Sequence, residues 1–511
     1  MKKIIYFAAL VVHICFIADL RAQKHDYNWM MGYENGGTNF EFGGMRLDFN
    51  FKPPKVISVN MGGGYTFTNA SACCSDSTGS LLYYSNGMSI KNKINQIMEN
   101  GDTINPGEIW KRARMSNSGY FGLSPFSLPQ PGHPNIYYLF HQGTEFTLAR
   151  DNVYWKYLYY TKIDMNANGG LGKVIVKNQV LMDSSLIVAS ATKHANGQDW
   201  WILCAYTGST QHYTYLLDTQ GIKGPFIQDI GPAFDTIELV GVSLFSPDGQ
   251  KYVRHNGRRE MRLYDFDRCS GSLSNLRFIS RPSNRVGVDF LIFSPNSRFL
   301  YANRGNPGCV VATTDTEADD LVASFDTLMP WENNYFPADS PFQTNYGIGS
   351  LAPDGKIYYP TFSSTKRMNV IHRPNLPGLA ADVEEAGLEL TRYNNGWAPV
   401  FPNYRLGRLL GSPCDTLGFG GDPDGFQNTT YSPKRATNEH IYKSEETKRT
   451  FRHTVSDQQD VMYYPSGVAM YQLNKIMPPN EQIPLPPNLI PIRRLLNDKT
   501  DTISAPPIKK Q

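Results

Sequence analysis

One corner recurs in this chain and limits what it can fold into. Phe245-Ser246-Pro247-Asp248-Gly249, Phe293-Ser294-Pro295-Asn296-Ser297 and Leu351-Ala352-Pro353-Asp354-Gly355 begin 48 and 58 residues apart. Pro presets φ and Gly accepts positive φ, so each copy reads as strand, tight turn, strand. A short aromatic or β-branched strand follows each corner: Lys251-Tyr252-Val253, Phe299-Leu300-Tyr301 and Lys356-Ile357-Tyr358-Tyr359. Further strands are expected over residues 261–266 and 368–372. Units of 40 to 60 residues with three or four short strands each match the blades of a β-propeller.

Weaker copies lie upstream. Asp76-Ser77-Thr78-Gly79 opens onto residues 80–85, Gly132-His133-Pro134-Asn135 onto 136–141, and Asn196-Gly197-Gln198-Asp199 onto 200–206. These strands carry several large apolar residues, as expected of strands buried on both faces. Six units are therefore readable. A seventh is expected from strands at residues 40–51 joined to the region 394–405, closing the ring with both ends of the chain and leaving no free sheet edge. The expected fold is all-β: a single β-propeller of six or seven blades, seven favoured, over residues 30–416. A partly Pro-rich, irregular tail over residues 417–511 is expected to follow, with a docking strand around Tyr463 to Tyr471 as its one candidate element.

Composition agrees. The 511 residues include 44 Gly and 34 Pro without a three-residue period, and 13% are aromatic. That excludes collagen, coiled coil and disorder. Lys and Arg number 49 against 46 Asp and Glu, so the chain offers no basic footprint for nucleic acid or an anionic membrane.

Lys2 and Lys3, an apolar run over residues 4–17, and Leu20-Arg21-Ala22 describe a secretory signal peptide over residues 1–22, cut after Ala22. No later apolar run reaches spanning length, so no transmembrane segment is expected in the mature chain. Six cysteines remain: Cys73, Cys74, Cys204, Cys269, Cys309 and Cys414. Six allow fifteen pairings, which the sequence leaves open. The adjacent Cys73 and Cys74 are expected to be free or to have distant partners, since a vicinal ring strains the peptide. C-x-x-C spacing is absent, which leaves zinc and thioredoxin-type chemistry unsupported.

Several strings combine into a family likeness. They are the run from Cys74-Ser75-Asp76 through Leu82-Tyr83-Tyr84-Ser85-Asn86-Gly87, Asn135-Ile136-Tyr137-Tyr138-Leu139-Phe140-His141, Tyr264-Asp265-Phe266-Asp267-Arg268-Cys269-Ser270-Gly271, Asn375-Leu376-Pro377-Gly378, Phe401-Pro402-Asn403-Tyr404-Arg405-Leu406-Gly407 and Gly411-Ser412-Pro413-Cys414-Asp415. In that order, over roughly residues 30–416, they resemble an exported β-propeller family of Bacteroidetes-type bacteria. Its members often carry PKD or type IX secretion sorting domains downstream; neither is evident after Cys414. The resemblance implies an exported propeller and transfers no catalytic residue.

Strings that encode local chemistry are few in this chain. Asp164-Met165-Asn166-Ala167-Asn168-Gly169 matches half a calcium loop, but Ile175 stands where the bidentate Glu belongs, so a hairpin turn before residues 173–176 is expected instead. Gly62-Gly63-Gly64 suggests a bend, with Thr66-Phe67-Thr68 as a strand rather than a phosphate-binding helix. Nucleophile-elbow, HExxH and P-loop strings are absent. His133, His141, His194, His212, His255 and His372 are scattered one or two per unit, and a propeller is able to gather distant residues at its axis. Trp110, Trp155, Trp200, Trp201, Trp331 and Trp397 are read mainly as packing, with sugar or peptide platforms as the alternative.

The reading is a non-enzymatic binding or scaffold propeller exported to the periplasm, outer surface or medium. Its expected partner is a cell-envelope protein, glycan or extracellular polymer, with no nucleic acid, no cofactor and no assigned catalytic or metal residue. The rival is a lactonase-like or polysaccharide-acting enzyme with its site in the central channel. A third reading is a surface-assembly component that docks through the tail.

Overall fold

The computed structural model describes residues 23–33, 41–62, 64–67, 70–115, 119–120, 125–146, 153–183, 188–206, 208–233, 241–256, 260–280, 290–303, 311–329, 346–361, 365–394, 397–415 and 427–430. The segment expected to be a signal peptide, Cys309, Trp331 and the candidate strand at Tyr463 to Tyr471 lie outside these residues. Residues 1–145 and 154–437 form one compact unit. Residues 146–153 and 438–511 form a second, of which only the strand ends Phe146 and Val153 are described.

Seven sheets make the blades of a β-propeller. Blade 1 is β1 (Asn28–Tyr33), β2 (Gly43–Asp48) and β3 (Lys55–Val59); blade 2 is β4 (Ala72–Ser75), β5 (Leu81–Ser85) and β6 (Ile90–Asn92). Blade 3 is β7 (Phe126–Gln130), β8 (His133–Phe146), β9 (Val153–Asp164) and β10 (Lys173–Asp183). Blade 4 is β11 (Ser190–Lys193), β12 (Trp200–Ala205), β13 (Gln211–Asp218) and β14 (Gly221–Asp229). Blade 5 is β15 (Gly241–Phe245), β16 (Lys251–Asn256), β17 (Glu260–Asp267) and β18 (Ser272–Ser280). Blade 6 is β19 (Phe290–Phe293), β20 (Phe299–Asn303), β21 (Val311–Asp315) and β22 (Asp326–Met329). Blade 7 is β23 (Ser350–Leu351), β24 (Ile357–Tyr359), β25 (Thr365–Ile371) and β26 (Val383–Asn394). Within each blade, neighbours in sequence are antiparallel neighbours in space. A parallel pair, β27 (Leu406–Leu410) and β28 (Gln427–Thr430), follows. It places one described strand in a tail expected to be irregular.

The corners fall where their residues require. Gly249 has φ +69°, and Ser246 closes the turn by accepting Gly249 N–H at its carbonyl (2.8 Å) and Lys251 N–H at Oγ (2.9 Å). Ser294 repeats both bonds in blade 6, and there Ser297 takes the positive-φ position at +62°. Strand β12 shows why an apolar run without alternation forms a strand here. Trp200, Ile202 and Cys204 pack toward blade 3, while Trp201 and Leu203 pack toward blade 5. All six residues are buried, because the strand is sandwiched between neighbouring blades. Truncating Trp200 to Ala at such a site costs about 3–5 kcal/mol.

Three details differ from the sequence reading. Blade 1 is built by N-terminal strands alone, and residues 397–405 join no ladder. Pro399 and Pro402 remove two of the donors a strand needs. Thr66 and Phe67 are not in a strand either; Phe67 N–H is held by Gly32 O at 3.0 Å. Between blades 2 and 3 the chain forms an unanticipated helix, α1 (Glu108–Met115). It carries a Glu108–Arg112 pair at helical spacing and buries Ile109 and Ala113. No helix among the described residues is long and apolar enough to cross a membrane.

Candidate functional site

A propeller brings distant residues together at its axis, and here the chain itself runs there. Residues 397–405 enter beside the starts of two inner strands. Trp397 meets Phe290 with ring centroids 5.4 Å apart, and Ala398 N–H donates to Ile348 O (3.1 Å). The segment leaves at the corner end, where Asn403 Nδ2 donates to Pro247 O (2.9 Å) and Tyr404 Oη to Ser127 O (2.6 Å). With its prolines barring a ladder, the segment contributes side chains instead. Phe401 packs against three hydrophobic clusters, which hold residues of blades 1, 2, 3, 4 and 7, and Tyr404 is fully buried beside Trp200 and His25.

Arg405 anchors the crossing. Its guanidinium grips Asp26 through two bonds of 2.8 and 2.9 Å, with Asp26 almost completely buried. Burial opposes the charge on Arg405, but the Asp26 carboxylate outweighs that and raises its pKa.

Beyond it, Leu409 N–H donates to Ala195 O (2.9 Å). Arg268, fully buried at the turn between β17 and β18, donates to Lys193 O, His194 O, Gly407 O and Thr429 Oγ1. Burial lowers its pKa to about 10, with Asp248 opposing the shift, so it stays charged at neutral pH. The disulfide Cys269–Cys414 then staples the segment to the same turn. Cys73, Cys74 and Cys204 are free and buried.

Two more ionisable groups sit near the crossing. Burial lowers His25 to about 4; its Nδ1–H donates to Ser75 O at 2.7 Å. The Lys193 ammonium lies 4.1 Å from the Trp200 ring centroid and donates to Gln198 O (3.1 Å). Burial pulls its pKa to about 7; Asp199 opposes the shift and Arg268 adds to it.

Alongside the segment lies a partly open cavity of about 200 Å³. Its wall comes from the inner strands of blades 4 to 7, from residues 400–403 and 405, and from Asp26, Phe126 and Gln427. Among the described residues, Asp26 and Arg405, already paired, are the only charged ones in its lining.

The histidines singled out in the sequence do not converge on this cavity. His133 contacts Thr219 O, His141 sits between Asn105 and Thr161, His194 holds Cys269 O, and His212 holds Thr210 O. His255 is fully buried in β16, while His372 bridges Lys356 and Glu384 on blade 7. Burial lowers His141 and His212 to about 3. Among the described residues, no group of three or more His, Cys, Asp or Glu is placed to hold a metal ion. Asp164 caps a turn through Asn166 N–H (2.9 Å), and β10 follows as the second arm of a hairpin. Trp155, Trp200, Trp201 and Trp397 are buried. Trp110 is half-buried and donates to Met88 O. The sequence reading missed His25, Asp26, Lys193, Tyr404 and Arg405 as site residues. The one available signal was the proline-flanked string Val400-Phe401-Pro402-Asn403-Tyr404-Arg405, apolar yet unfit for a strand.

No family model matches this chain, and no curated protein matches it. Among solved structures, a candidate 6-phosphogluconolactonase from Bacteroides fragilis is 12% identical, with a TM-score of 0.43, covering 72% of this chain and 97% of that one. The periplasmic gluconolactonase PpgL of Pseudomonas aeruginosa is 11% identical (TM-score 0.42; 73% and 98% covered). The Cps50 (Swd1) β-propeller domain of Myceliophteria thermophila is 10% identical (TM-score 0.39; 68% and 93% covered).

Proposed function

We propose that this chain is an exported, non-enzymatic binding or scaffold propeller that engages a cell-envelope protein, glycan or extracellular polymer. The observation that carries the reading is the crossing segment. The axis, where this fold concentrates side chains from many blades, is taken up by Phe401, Tyr404 and Arg405, held by an ion pair, main-chain bonds and a disulfide. A body braced in this way suits presentation of a rigid surface. It does not suit a reaction that needs acid and base groups to meet along the axis.

The test uses the purified mature chain. Saturable retention on isolated cell-envelope fractions, with glucono-δ-lactone opening no faster than its spontaneous rate, is the expected result. Lactone turnover that disappears when Arg405 or Asp26 is replaced would establish the enzymatic rival in its place.

A further inference from the structure

The cavity beside the crossing segment has a lining unlike that of a side-chain pocket. Its wall uses consecutive residues, 188–192, 242–247, 290–293 and 348–353. Side chains on a strand alternate between faces, so a wall of side chains would draw on every second residue. A consecutive run means that the strand edge itself faces the space. The ladders agree: β11, β15, β19 and β23 each pair on one side only, with β12, β16, β20 and β24. The crossing segment shows what such an edge does, since Ala398 N–H bonds Ile348 O at the start of blade 7. Four parallel edges therefore offer main-chain donors and acceptors, interleaved with apolar side chains such as Leu244, Leu291, Phe293 and Phe401.

Charge narrows the ligand class. Among the described residues, the one lining cation is committed to the one lining anion, at two bonds shorter than 3 Å. A charged ligand would bury a second charge with no counter-ion, which is costly. Size narrows it further: a cavity of about 150 Å³ accepts benzene, so about 200 Å³ suits about eight to ten non-hydrogen atoms.

We propose that this cavity is a binding site for a neutral, largely apolar small molecule, an aromatic ring carrying one hydroxyl or amide, which hydrogen-bonds to the main-chain groups of the strand edges. The site goes beyond the surface-binding role and does not depend on it.

The experiment titrates the full mature chain with isosteric probes by calorimetry and thermal shift. Benzyl alcohol and benzamide are the neutral members; benzoate and benzylamine are the charged ones. Saturable binding of at least one neutral probe, with both charged probes at least tenfold weaker, is expected. 4-Bromobenzyl alcohol soaked into crystals of the unaltered protein locates the site, and bromine is expected in the space between the inner edges of β11 and β19. The proposal is overturned if no neutral probe saturates, if a charged probe binds as tightly, or if the bromine lies elsewhere.

Discussion

Asp26 and Arg405, separated by 379 residues, meet in a two-bond ion pair that ties the beginning of the described chain to the segment crossing the axis. Among the described residues neither group has another opposite charge bonded to it, and Asp26 is almost wholly out of solvent. Arg405→Met should therefore lower unfolding free energy by about 3 kcal/mol, because it strands a buried carboxylate. Asp26→Asn combined with Arg405→Met should recover part of that loss. Urea unfolding of the wild type, both single variants and the double variant measures the coupling; strictly additive losses would contradict it.

Lys193 makes stability depend on pH in an unusual direction. Its folded pKa of about 7 lies below its ordinary value of 10.5, mainly through burial. Between those values the unfolded chain holds the extra proton, so stability should rise with pH from about 7 upward. Lys193→Met removes the group from both states. The wild type minus Lys193→Met difference in urea-unfolding free energy, followed from pH 7 to 9, should therefore grow with pH; a flat difference would count against the buried amine.

The acid side follows from three buried, neutral imidazoles. Burial holds His25 near 4 and His141 and His212 near 3, all below the ordinary 6.5. Unfolding below pH 6.5 lets each take up a proton, so the stability they confer is complete above 6.5 and lost as pH falls toward 4 and 3. Melting temperature measured from pH 7 to 4 should decline, and less steeply in His141→Gln.

Ser297 combines strain with a useful bond. It sits at φ +62°, where Gly stands in the related corner of blade 5, and its Oγ accepts Asp248 N–H at 2.9 Å. Ser297→Ala keeps the backbone strain and loses the bond, for a cost of about 1 kcal/mol. Ser297→Gly loses the same bond but relieves a strain of about 1 kcal/mol, and should be near neutral. Chemical denaturation of the pair separates the two contributions.

Removing the staple should weaken the whole body. The Cys269–Cys414 bridge closes a span of 145 residues. Cys269→Ser with Cys414→Ser is expected to cost about 2–5 kcal/mol in guanidinium unfolding, matching the reduced wild type. Agreement of the two forms shows that the loss comes from the bond and not from the serines.

The corners were legible because their residues act locally. Pro247 and Gly249 decide a turn whatever surrounds them, and the Trp200 to Ala205 run announces burial on both faces by its composition. The crossing segment was not legible as such, since its conformation is set by partners as remote as Asp26, Ser127 and Pro247. Its two prolines argued against a ladder, but they did not say where an apolar, unpaired string would go. The helix at Glu108–Met115 escaped notice because it is eight residues long and buries only two of them. The cavity's strand edges are invisible to any search for side-chain motifs: a main-chain amide is the same at every position.

Because Phe401 and Tyr404 complete clusters begun by much earlier blades, a chain released N-terminus first carries an unfinished interior until its four-hundredth residue has emerged. Only then does a hub seat itself among the spokes, and only after that does Cys414 reach Cys269. A product cut short before this point is expected to keep its corners and most of its sheets around an unfilled hub, and to be cut by proteases faster than the full chain.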